Sequence, residues 1–170
     1  MNAQPALLTL EHAQQQFKVA LDQIRHQDWF AGPWKLQTTK PSDGSRLWAC
    51  VQLTKDHWFN EDSMGIHIET WIAQKEAEKG ILPFQLHVLH LSRFPGTDVK
   101  AGEFHKRWGE LEEPAKLISG WKGYKAGRVK HCSGTVRFGP RGIAETVADE
   151  FTRLRVLGKY IDDILKEILP

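Results

Sequence analysis

"RLWACVQLTKDHWFNEDSMGIHIETWIAQKEAEKGILPFQLHVLHLS", Arg46 to Ser92, contains three runs that alternate or stay apolar over strand lengths: 46–54, 63–72 and 82–92. The segments between them, KDHWFNED and AQKEAEKG, are shorter than the dozen or more residues that a parallel crossover needs, so the runs are expected to pair antiparallel. AQKEAEKG is expected to add one helical turn.

Working outward, residues 10–24 place Leu10, Ala13, Phe17, Ala20 or Leu21 and Ile24 at helical spacing, with Thr9 as N-cap. Gly32 and Pro33 break that period, and TKPSDGS (39–45) is dense in turn formers. Downstream, KAGEFHKRWGELEEPAKLIS (100–119) returns to the helical period through Phe104, Trp108 and Leu111, with a break expected at Pro114. GYKAGRVKHCSGTVRFG (123–139) reads as two short strands. A last helix carries Ile143, Val147, Phe151, Leu154, Leu157, Ile161, Ile164 or Leu165 and Ile168 on one stripe, with Gly158 as its weak point. The expected fold is a single α+β domain spanning 1–170. It has a mainly antiparallel sheet of about four to five strands, helices packed on one face and a long C-terminal helix.

Composition agrees with an ordinary globular protein: 170 residues, 41% hydrophobic and 26% charged. A chain of this length buries about 70% of its unfolded surface and needs no disulfide or structural metal to hold it. Cys50 and Cys132 are read as reduced and buried, since no Cys-x-x-Cys or zinc-type spacing is present. The N-terminal residues have no basic segment ahead of an apolar run, and no window reaches the ~18 apolar residues of a membrane span. A cytoplasmic protein without a membrane partner is therefore expected.

Strand alternation separates two chemistries. Val51, Leu53, Ile66, Ile68, Ile72, Phe84, Leu86 and Val88 form apolar sets. The opposite face gathers Gln52, His67, Glu69, Gln85 and His87. Two imidazoles and a carboxylate on adjacent strands suit a divalent transition metal with a coordination position left for substrate, making His67, Glu69 and His87 candidate catalytic and metal-binding residues. The competing expectation for these three is a solvated or internally paired sheet face.

Net charge is only +2, but the positive charge is local. Between Pro114 and Ala144 the chain carries Lys116, Lys122, Lys125, Arg128, Lys130, Arg137 and Arg141 and no acid, interleaved with Trp121, Tyr124 and Phe138. Cations beside aromatic rings suit phosphates and stacked bases, so Trp121, Lys122, Tyr124, Lys125, Arg128, Lys130, Arg137 and Arg141 are the candidate binding residues for nucleic acid or another polyanion. The leading expectation is thus a small polyanion-binding module. The alternatives are an enzyme using the His/Glu/His face for metal-dependent hydrolysis or phosphoester chemistry, and a protein-interaction module exploiting the seven tryptophans.

"HLS" at 90–92 and "HCS" at 131–133 resemble the paired His-x-Ser/Thr motifs of the two-histidine phosphoesterases. The resemblance implies an acid–base role for His90 and His131 on a phosphodiester. It covers six residues, and their gap of about forty residues is about half that of the family. A Gly-x-Ser-x-Gly elbow, a Walker-type loop and a dinucleotide fingerprint are all missing from the sequence.

Overall fold

The structure is a computed structural model that describes residues 8–39, 46–88, 92–125 and 130–170; of 123–125 and 130–132 only the backbone is described. The three runs of 46–92 form its centre. β2 (Leu47–Lys55), β3 (His67–Ala73) and β4 (Ile81–His87) pair antiparallel in that order. β1 (Trp34–Thr38) adds to β2 at one edge. β6 (Lys130–Arg137) pairs with β4, and β5 (Lys122–Lys125) closes the other edge, giving the order β1-β2-β3-β4-β6-β5. The described sheet has six strands. That is one more than the upper expectation, because β1 sits directly after the turn around Gly32 and Pro33.

The apolar face is covered by helices. α1 (Leu10–Arg25) buries Ala13, Phe17, Ala20, Leu21 and Ile24, and the Thr9 hydroxyl accepts from His12 N at its N-terminus. α1 packs on β2 and on α5 (Gly142–Leu154), and α5 reaches β3. Phe151 of α5 meets Phe84 of β4 edge to face at 5.8 Å, and both are fully buried. α2 (Gln74–Lys79) links β3 to β4 and ends at Gly80, whose φ of 63° is the left-handed conformation that terminates helices.

Two helix boundaries differ from expectation. The segment after β4 breaks at Glu110 and Leu111, giving α3 (Ala101–Gly109) and α4 (Glu112–Ile118). Pro114 lies in the first turn of α4, where its missing N–H removes no helical bond. The long C-terminal helix is two helices, α5 and α6 (Leu157–Ile168), interrupted at Arg155 and Val156. Gly158 lies just inside α6, and there a Cβ would stand 2.7 Å from Trp34 Cη2. The glycine is required by the close approach of the Trp34 ring.

A second close approach seats Trp121. It is 4% exposed and stacks over Gly134, where a Cβ would fall 2.1 Å from Trp121 Cβ. Trp58, Trp108 and Trp121 are core residues, and Trp29, Trp34 and Trp48 pack against the core. Six of the seven tryptophans thus build or flank the interior, and Trp71 of β3 is half-buried. No described helix is long and apolar enough to cross a membrane.

Because Phe151 is fully buried against Phe84, Phe151→Ala is expected to lower unfolding free energy by about 3–5 kcal/mol. Urea denaturation measures this; a loss within error would mean that α5 does not close the core.

Candidate metal centre

The register sets polar residues in a row across the sheet: Gln37 opposite Gln52, Gln52 opposite Glu69, Glu69 opposite Gln85, and Gln85 opposite Ser133. In the adjacent row His67 faces His87 directly. This face is not solvated: His67 is 1% exposed, Gln52 3%, Gln85 4% and His87 9%. Of the two forms expected for this face, solvated or internally paired, the burial matches the paired one.

What covers it is the connection between β2 and β3, which folds back so that Asn60 lies over the row. Phe59, Asp62 and Ser63 all have positive φ (57°, 53° and 61°), an uncommon conformation for residues with a Cβ. Gly65 completes the fold-back, since a Cβ there would lie 2.0 Å from the Phe59 carbonyl oxygen.

The polarity of the network follows from one donor. The Gly65 backbone N–H donates to Asn60 Oδ1 at 3.1 Å, which makes that atom the amide oxygen. Asn60 Nδ2 then donates to Gln37 Oε1 at 2.8 Å and Gln52 Oε1 at 3.1 Å. Gln52 Nε2 is left to donate to Glu69 Oε2 at 3.3 Å. The Gln85 amide nitrogen donates to Glu69 Oε1. On the other side, His67 Nδ1 lies 2.7 Å from Asn60 Oδ1 and must be its donor. In the neutral ring this puts the lone pair on Nε2.

That Nε2 is buried and makes no hydrogen bond. It stands 3.4 Å from Glu69 Oε2, an ion pair when the ring is protonated and a lone pair facing a carboxylate when the ring is neutral. His87 Nδ1 lies 3.8 Å from Glu69 Oε1, and the two imidazole centroids are 5.0 Å apart. One ligand atom from each of His67, Glu69 and His87 falls within 4.8 Å of the others. Metal bonds of about 2.1 Å hold neighbouring ligand atoms about 3.0–3.4 Å apart, so the first distance already fits and the second is about 0.4 Å long. The donor set is one that could hold a divalent ion, with separations of up to 4.8 Å that would close on binding. Asn60 supplies the partner that fixes a ligating histidine's ring and tautomer. The Gln52 and Gln85 amides steady the carboxylate.

Burial pushes the Glu69 carboxyl up, but the attraction of His67, the Gln85 amide and His87 outweighs it and lowers it to about 2. Cys50 lies behind, its thiol 3.9 Å from Glu69 Oε2 and pushed up to about 12 by burial and then by the Glu69 charge. It is a free, un-ionised thiol. Asn60 and Gln37 are the site residues that sequence reasoning missed; alternation placed Gln52 and Gln85 on this face, but not as the amides that brace Glu69. The only signal for Asn60 was its place in a short polar connection.

The basic segment is less unified than its sequence. Trp121 is a core residue whose indole N–H donates to Glu150 at 3.0 Å, so it is not available to stack on a base. Arg141 pairs with Asp149 at 2.7 Å. Lys122 and Arg137 are exposed at the sheet end. The side chains of Tyr124, Lys125 and Lys130, and all of Arg128, lie outside the described residues, as do His90 and the His131 side chain.

With a folded-state value of about 2 against about 4.3 for a free glutamate, Glu69 binds fewer protons folded than unfolded between these limits. Its contribution is complete above about pH 4.5 and is lost as pH falls towards 2. Melting temperatures of the wild type should drop across that window, and Glu69→Gln should flatten the drop; identical slopes would remove Glu69 from the ionised network. Comparison with protein-family models, with curated proteins and with solved structures returns no match, so function is argued from these side chains alone.

Proposed function

We propose that the protein is a metal-dependent enzyme of hydrolytic type, holding one divalent transition ion through His67, Glu69 and His87. The reading is carried by one observation: His67 Nε2 is buried, has no hydrogen bond, and is turned towards Glu69 by a tautomer fixed at Asn60. A buried imidazole nitrogen without a partner is costly unless something fills the place it faces. Two imidazoles and a carboxylate suit Zn, Mn, Ni or Fe, and three protein ligands leave a position for water or substrate. Such an ion supplies Lewis acidity and an activated water near neutral pH. The chain's own part is to exclude bulk water, hold His67 in one tautomer and keep Glu69 ionised. Gln85 Oε1, also buried without a donor, adds an acceptor beside Glu69 for a proton of a bound water.

A second reading is contact with nucleic acid or another polyanion through the basic segment. It is supported by Lys122 and Arg137, which have no carboxylate partner among the described residues. Replacing Lys125, Arg128 and Lys130 by glutamine should then lower the slope of log K against log salt by about 0.7–0.9 per lost contact. No measurable binding of labelled RNA or DNA at low salt would remove this reading.

For the metal, wild-type protein titrated with Zn in a calorimeter should bind one equivalent with micromolar or tighter affinity, and His67→Ala with His87→Ala should abolish it. Absence of any bound ion by elemental analysis, together with no heat on titration with Zn, Mn, Ni or Fe, would overturn the reading.

A further inference from the structure

At the opposite end of β4 from His87, a cleft of about 630 Å³ is lined by Ile81, Trp121, Val136 and Thr135 among others, with Lys79, Lys122 and Arg137 round it. β4 has seven residues, which sets this cleft about 20 Å from the His/Glu/His cluster at ~3.3 Å per residue. The two sites are separate.

The charge of the cleft is lopsided. Its one carboxylate, Glu150, is already committed: it accepts from Arg153 at 2.7 and 3.1 Å and from the Trp121 indole at 3.0 Å. Arg153 spends its remaining reach on the Leu117 carbonyl. That pair is internally neutral. Lys79, Lys122 and Arg137 are exposed, and none has a carboxylate within ion-pair distance among the described residues. Three uncompensated cations therefore surround a recess whose floor is the half-buried apolar surface of Ile81 and Val136 and the edge of Trp121.

We propose that this cleft binds a small phosphate monoester with an apolar body. Three cations match the nearly two negative charges of such a phosphate better than the one of a carboxylate, and Arg137 offers paired N–H donors. The apolar floor suits an aromatic or aliphatic substituent, and the volume is in the range of small-ligand sites. The buried position of Trp121 argues for a compact ligand in the recess rather than a strand of nucleic acid with bases stacked on the ring.

The test uses the full chain and three probes: phenyl phosphate, inorganic phosphate and benzyl alcohol. Phenyl phosphate should bind at least about tenfold tighter than either of the others and should shift the Trp121 indole N–H resonance. Lys122→Gln with Arg137→Gln should weaken it about tenfold or more, while Lys159→Gln, an exposed α6 position remote from the cleft, leaves it unchanged. Zn titration of the double variant should be unaltered, which separates failure here from failure of the metal reading. No binding of phenyl phosphate at ~10 mM, equal affinity in the double variant, or inorganic phosphate binding as tightly would overturn the proposal. A single-stranded oligonucleotide that displaces phenyl phosphate with a salt slope of several contacts would also overturn it, in favour of a nucleic-acid track.

Discussion

The hydrogen bond from the Gly65 N–H to Asn60 Oδ1 governs the polar face of this protein. A backbone N–H can only donate, so the Asn60 amide has one orientation. From it follow the donor on His67 Nδ1, the acceptors on Gln37 and Gln52, and the Gln52 amide directed at Glu69, while the Gln85 amide is oriented by the carboxylate itself. The bond exists because position 65 has no Cβ and because three residues of the connection take left-handed backbone conformations. Local strain in a loop is thus converted into a fixed proton arrangement within the sheet.

Burying such a row is unfavourable unless its members satisfy one another. Most do. The exceptions, His67 Nε2 and Gln85 Oε1, both belong to side chains that meet the same carboxylate. On the helical side the same connection is pinned by a different device. Asp162 of α6 accepts from Lys55 at 2.5 Å and from His57 and Trp58 at 2.7 Å each. Burial would raise the Asp162 carboxyl, but these three donors lower it. The ammonium of Lys55 also lies 4.6 Å from the centroid of Trp34, so a buried charge is met by both an anion and an aromatic face. The fold-back over the His67, Glu69 and His87 cluster is therefore anchored at its start as well as at Gly65.

Period-2 alternation made the central strands, their antiparallel pairing and the two faces legible in the sequence, and period-3.6 spacing did the same for α1 and α5. Each helix break has a glycine beside it: Gly109 ends α3 directly before Glu110, and Gly158, the weak point read in the last helix, lies two residues past the interruption at Arg155 and Val156. His67, Glu69 and His87 could be grouped from alternation. Their burial could not, because it depends on a connection folding back onto the sheet, a non-local event. Trp121 misled in the opposite direction. Beside Lys122 and Tyr124 it resembled a stacking platform, and only the pairing of Phe84 with Gly134 reveals the slot that its ring fills.

The sheet is open, and its two outer strands are β1 and β5, five and four residues long. An open edge offers unpaired backbone groups to any other extended chain, and proteins blunt it with short strands and lysine. Both devices are present: Lys35 is the second residue of Trp34–Thr38, and lysines begin and end Lys122–Lys125. The basic character of the β5 edge therefore serves the molecule before any ligand arrives, by discouraging edge-to-edge growth into aggregates.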